Sequence, residues 1–153
     1  QLALYSYLGY ISLAKGIYML GKLILWVTGL VFVGYGGVCL YDPNVPVSYI
    51  GYTMTGADSF IETAAMYGGL QLGFGFWCLF SAVNNCYTRS ALLSIGFAIG
   101  ALGISRLLGL LLIGDSVFTQ NQNFDDATWY TFGAIIYELS TAVIALTAFK
   151  RSA

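Results

Sequence analysis

The run Leu23-Ile-Leu-Trp-Val-Thr-Gly-Leu-Val-Phe-Val-Gly-Tyr-Gly-Gly-Val-Cys-Leu-Tyr41 carries no charged side chain and is closed by Asp42-Pro43 and then Pro46. At ~1.5 Å per residue such a helix is close to the ~30 Å hydrocarbon thickness of a bilayer. Proline lacks the N–H that would continue the ladder, so the helix is expected to stop at Tyr41. A helix on a soluble domain keeps a polar face, and this run has none. It therefore reads as a membrane span. Working outward, three more stretches pass the same test: 59–82, closed by Asn84-Asn85; 90–114; and 127–149, ahead of Lys150-Arg151. Of 153 residues, 58% are apolar and 8% charged, against about a quarter charged in a soluble domain. That excludes an ordinary soluble globular protein. The expected fold is all-α, a single integral membrane domain forming a four-transmembrane-helix bundle.

Residues 1–21 form an N-terminal extension. Its uncharged portion before Lys15 is too short for a crossing, which predicts an interfacial helix or a helical extension of span 23–41. Tyr5, Tyr7, Tyr10 and Tyr18 suit an interface, where the ring is apolar and the hydroxyl meets headgroups. Residue 1 is Gln, as expected of a processed chain or one lacking its start.

The charges outside the spans separate by side. Lys15, Lys22, Arg89, Lys150 and Arg151 fall on one side; Asp42, Asp58, Asp115, Asp125 and Asp126 fall on the other. The positive-inside rule then places both termini in the cytoplasm, matrix or stroma, for a multi-pass protein of a thylakoid or of a bacterial or organellar inner membrane. A net charge of -1 provides no basic surface for nucleic acid.

Three ionisable residues remain inside the spans: Glu62, Arg106 and Glu138. At ~1.5 Å per residue they lie roughly 6, 13 and 18 Å from the acidic side. Ionised groups at depth are costly and normally pair or line a cavity, so the three form a candidate intramembrane cluster with Arg106 as its middle layer. The α-helical face of Glu62 carries Ala65, Met66, Gly69 and Gly73; that of Glu138 carries Thr131, Ala134, Thr141, Ala142 and Ala145. Small residues let helices approach closely, which points both carboxylates between helices. Two structural readings stand beside this one. Ser59-x-x-Glu62 fits a capping box, and Arg106 with a carboxylate fits an ion pair that sets helix register. One Arg cannot neutralise two carboxylates, so pairing with Glu62 would leave Glu138 protonated, ligating or bonded to a neighbour.

Glycine is the other strong signal, with 19 residues concentrated in the spans. Gly69-x-x-x-Gly73 and Gly96-x-x-x-Gly100, together with Gly103, are helix-packing candidates. Tyr-Gly-Gly occurs twice, at Tyr35-Gly36-Gly37 and Tyr67-Gly68-Gly69, at similar depths on antiparallel spans. The two are expected to touch backbone to backbone, or else to press against a ligand with a tyrosine hydroxyl beside it. By α-helical phase Gln71 points opposite to Glu62, toward another helix or a bound partner. Tyr35, Tyr67, Gln71 and Glu138 are thus candidate cofactor or partner contacts. Trp26, Trp77 and Trp129 sit near span ends, as an aromatic belt does. Cys39, Cys78 and Cys86 form no CxxC pair and read as small apolar residues. Histidine is absent, which removes His-ligated haem and the usual zinc and copper sites. No phosphate loop, catalytic carboxylate pair or metal spacing is present, so no catalytic residue is expected.

The run Glu62-Thr-Ala-Ala-Met66-Tyr67-Gly68-Gly69-Leu70-Gln71-Leu72-Gly73 resembles the hallmark of a family of small, mostly bacterial four-helix membrane proteins of unknown function. Gly36 through Tyr41-Asp42-Pro43, and Arg106 with Gly109, are similar to the same family, over roughly Lys22 to Arg151. The resemblance implies a fold and a shared intramembrane cluster, and carries no catalytic role. The aromatic N-terminal extension departs from the family's short start, which suggests an added docking surface.

The expected function is that of a non-enzymatic accessory subunit of a larger membrane complex, with a bioenergetic one such as a photosystem or respiratory complex as the expected host. Its partners would be lipid and other membrane subunits, with chlorophyll, carotenoid or lipid as candidate ligands. A glutamate paired with arginine across helices ligates chlorophyll in light-harvesting proteins, and Glu138 with Arg106 could imitate that without the usual motif. The alternative is a small-solute or proton-coupled transporter working through Glu62, Arg106 and Glu138. A membrane enzyme acting on lipid or quinone has only the same charges to offer. The topology has a direct test: a cysteine placed at Asn123 should react only from one side of the membrane and one at Ala153 only from the other. Labelling of both from the same side refutes the assignment.

Overall fold

The computed structural model describes the backbone of residues 2–112 and 128–151, with side chains from Gly16 onward. The side chains of Tyr5, Tyr7, Tyr10 and Lys15, the loop aspartates Asp115, Asp125 and Asp126, and the expected boundaries at Gly114 and Ala127 lie outside the described residues. The described chain is all-helical. In order it forms α1 (Leu2–Tyr41), α2 (Asn44–Ile50), α3 (Ala57–Thr63), a π-helical segment (Ala64–Leu70), α4 (Gln71–Val83), α5 (Asn85–Leu111) and α6 (Trp129–Arg151). Four stretches are long and apolar enough to cross a membrane: Gly16–Tyr41, Ala57–Val83, Asn85–Leu111 and Trp129–Arg151.

The N-terminal extension continues α1 without a break. At 40 residues this helix is about 60 Å long, roughly twice what the hydrocarbon core requires. It ends at Tyr41, where Asp42 takes over the chain: its Oδ1 accepts the backbone N–H of Asn44 (3.0 Å) and the Asn44 side-chain amide (2.9 Å). These two donors favour the ionised form and hold the Asp42 carboxyl below its ordinary range. Pro46 is tolerated inside α2 because the first helical turn needs no donor there. Gly51 closes α2 with φ 79°, a left-handed conformation that only glycine adopts without cost.

Span two starts earlier than the Ser59 capping box would have it. Gly56 is the N-cap, its N–H donates to Ser59 Oγ at 3.2 Å, and Ser59 Oγ donates to the Gly56 carbonyl at 2.6 Å. Ser59 is already one turn inside the helix, so Glu62 has no capping role.

The chain divides into two compact units, residues 22–91 and residues 1–21 with 92–153. In the first, spans one and two pack antiparallel through glycine. A Cβ on Gly75 would lie 2.9 Å from the Gly29 carbonyl oxygen and 2.7 Å from Val33 N; one on Gly36 would lie 2.9 Å from the Gly68 carbonyl and 2.6 Å from Leu72 N. The pairs 29/75 and 36/68 both add to 104, the signature of a straight antiparallel register. Phe32 and Phe74 fill the space between them, with ring centroids 5.4 Å apart. At the tight turn into α5, Thr88 Oγ1 donates to the Ser81 carbonyl at 2.9 Å, and Tyr87 packs on Trp77 and Phe80.

In the second unit α5 and α6 pack antiparallel by the same device. A Cβ on Gly96 would meet Leu146, one on Gly100 would meet Ala142 and one on Gly103 would meet Leu139. Each of these pairs adds to 242. Leu92, Ile95, Ile99, Ala142, Ala145 and Ala148 form the apolar interior.

Not every expected packing glycine packs. Gly37, Gly69 and Gly73 have nothing within 4 Å of a built Cβ. The reason is phase: once Gly36 and Gly68, the first glycines of the two Tyr-Gly-Gly runs, occupy the contact, their neighbours are turned away. Gly36→Ala should therefore lower thermal stability in detergent by about 1–3 kcal/mol through backbone overlap. Gly73→Ala should stay within about 0.5 kcal/mol of the parent.

Candidate intramembrane site

Arg106 sits five residues before the end of α5, and Glu138 lies nine residues into α6. Side chains tilt toward the N-terminus of their own helix. Because α5 and α6 are antiparallel, Arg106 tilts deeper and Glu138 tilts shallower, so two residues at different depths meet. Arg106 Nε donates to both Glu138 oxygens, each at 3.0 Å. The Glu138 side chain is 9% exposed and that of Arg106 30%.

Glycine makes the approach possible. A Cβ at Gly103 would lie 3.1 Å from Glu138 Cβ and 2.8 Å from a Leu139 methyl, so any side chain there would push α6 away from the arginine. Thr141 and Ala142, buried one turn on, continue the small face. The Tyr130 ring covers the guanidinium, its centroid 5.7 Å from Cζ, within reach of a cation–π interaction. Hydropathy and charge do not single out Tyr130. Its position just over two turns ahead of Glu138 was the available signal.

The other candidates fall elsewhere. Glu62 is exposed, and no ion pair or hydrogen bond reaches it from a described residue. Tyr35, Tyr67 and Gln71 are half-buried in the unit of residues 22–91, whereas Arg106 and Glu138 belong to the other unit. The phase argument that set Glu62 opposite Gln71, and in line with Gly69 and Gly73, is corrected by the π-helical segment between them. An i→i+5 ladder turns the chain less per residue, so nine residues no longer make two and a half turns. Composition does not reveal such a segment; Ala64-Ala65-Met66-Tyr67-Gly68-Gly69 reads equally well as α-helix.

Chemically, the site is a charge-neutral pair with a buried carboxylate and a half-buried guanidinium. Both carboxylate oxygens are engaged by one N–H, and the surrounding face is small and apolar. Among the described residues, no group of three or more His, Cys, Asp or Glu could hold a metal ion.

The family model described as a domain of unknown function, DUF4345, matches residues 20–122. The match covers the Tyr-Gly-Gly contacts, the π-helical segment and Arg106, and stops short of α6 and Glu138. No curated protein and no solved structure matches the chain.

Removing one partner of a pair whose carboxylate is buried leaves the other uncompensated. Arg106→Leu or Glu138→Leu alone should each destabilise the protein by about 3–5 kcal/mol, and the double variant should recover much of that loss. Unfolding of all four proteins in one detergent measures the coupling; additive effects would show that the pair is not a unit.

Proposed function

This chain belongs to the DUF4345 family, and from that premise we propose that it is a small non-catalytic subunit of a larger membrane assembly, crossing the bilayer four times. The observation that carries this reading is a contrast between inside and outside. Inside, both Glu138 carboxylate oxygens are taken up by Arg106 Nε, so the carboxylate offers little to catalysis or relay. Outside, only 28 to 39% of each span's most apolar stretch is buried within the chain. Leu30, Ile61, Leu70, Phe97, Ile136 and Val143 are all at least 60% exposed, and Gly69 and Gly73 lie open on span two. Lipid covers part of such a surface, and we assign the glycine-bearing part to a neighbouring membrane subunit, because open glycines admit a helix backbone closely.

The narrower form of the proposal names a bioenergetic host, photosynthetic or respiratory, with pigment or lipid against the aromatic faces and both termini on the positively charged side. Lys22, Arg89, Lys150 and Arg151 support that orientation. The rival reading, a proton- or solute-coupled transporter, draws its support from Glu62, an exposed carboxylate inside a span with no described partner.

One preparation separates the two. Solubilised gently from its native membrane, the tagged chain should travel with a large complex. Gly69→Leu should release it as an intact monomer, since a Cβ at that position meets no described atom within 4 Å. Uptake by the purified chain in vesicles, abolished by Glu62→Gln or Glu138→Gln, would replace the subunit reading with the transporter.

A further inference from the structure

The π-helical segment interrupts span two without breaking it. Backbone at Thr63 (φ -62°, ψ -44°) and at Gln71 (φ -68°, ψ -42°) is ordinary right-handed helix on both sides. The buried positions record its effect. They fall at Thr63, Gly68, Gly75, Cys78, Ser81 and Ala82, so the step is five residues across the segment, then seven, then three to Cys78 and three or four to the Ser81-Ala82 pair. An α-helix returns to one face every three or four residues, or every seven over two turns. One residue more than α-helical phase requires is therefore stored between Thr63 and Gly68. The outer piece, Ala57–Thr63, is turned relative to α4 by about one residue's angle, roughly 100°.

The two sides of the segment are held very differently. At its inner end Gly68, and below it Leu72 and Gly75, meet Leu40, Gly36, Val33 and Gly29 at separations with no room for a Cβ, which fixes Gly68 and α4 against span one. Above it, the described residues tie the outer piece down through a hydrogen bond from Tyr52 Oη to Thr63 Oγ1 at 3.2 Å. Phe60, Ile61 and Glu62 beside it are exposed. The stored residue lies between Thr63 and the packed Gly68, beside Ala64 and Ala65, whose small side chains offer rewinding little steric resistance. An i→i+5 and an i→i+4 ladder both keep the backbone paired, so neither winding leaves polar groups bare in lipid.

We propose that this segment is a two-state winding joint. The outer piece of span two turns between the π-wound form and an α-wound form while α4 stays fixed, and the turn carries the Glu62 carboxylate around the span. In the α-wound form Ala64 takes the buried position of Thr63, the Tyr52 bond is lost, and Glu62 comes into line with Ala65, Met66, Gly69 and Gly73. The joint stands whether or not the chain is a subunit of a larger complex, because it depends only on contacts within residues 22–91.

The test uses the full chain in lipid nanodiscs, with its cysteines replaced by alanine and its fold checked by circular dichroism. Single nitroxide labels placed at 57–63 and at 72–83 report oxygen accessibility along both pieces. Two helical periodicities out of phase by roughly 100° are expected, with two spectral components for labels at Ile61 and Glu62. Thr63→Val removes the anchor and should raise the minor component about fivefold, the worth of one net hydrogen bond. Thr63→Ser should restore the parent ratio. Deletion of Ala65 removes the stored residue and should leave a single component and a single phase. A single phase in the parent chain overturns the proposal. So does one component in both the parent and Thr63→Val, which would make the segment a static insertion.

Discussion

Close approach of helix backbones at glycine is the constraint on which the other features depend. In lipid there is no hydrophobic force between apolar helices, so association rests on van der Waals contact and on polar groups that find partners. Gly29, Gly36, Gly68 and Gly75 supply that contact in one unit, and Gly96, Gly100 and Gly103 supply it in the other. In each unit the contacts follow one antiparallel register. The same Gly103 that lets α6 approach α5 also brings Glu138 within hydrogen-bonding distance of Arg106.

The ion pair is thus a consequence of the packing. The carboxylate is held by two contacts from a single Nε, and Tyr130 lies over the guanidinium. An arginine in this position fixes the register of α5 against α6, since a slip by one turn would leave two charges stranded in a low-dielectric setting. Glu62, at the outer end of span two, is under no such restraint from any described residue. Its placement is governed by the winding of the backbone below it.

The family match ends at residue 122, before α6. The portion shared with the family therefore includes the arginine and the π-helical segment, while the glutamate that completes the pair lies beyond the match. Arg106 and its glycine neighbours belong to the part of the chain that the family model describes. Their partner is supplied by a helix whose contribution is known from the structure of this chain.

Much of the architecture was legible from the amino acids, because the physics involved is local. Nineteen uncharged residues between Lys22 and Asp42, and three comparable runs, specify spanning helices through hydropathy and length alone. The Asp-Pro stop, the need of Arg106 for a carboxylate partner, and the meeting of the two Tyr-Gly-Gly runs follow from residue type and depth. Tertiary structure decided what depends on phase. It chose Gly36 and Gly68 over Gly37 and Gly69, gave Arg106 to Glu138, and moved the helix cap from Ser59 to Gly56. It also stored an extra residue in Ala64–Leu70, which changed the direction in which Glu62 points. Phase accumulates along a helix, so one residue of π winding turns everything beyond it by about a quarter of a revolution. Composition and hydropathy are unchanged by that rotation, and only the packed backbone registers it.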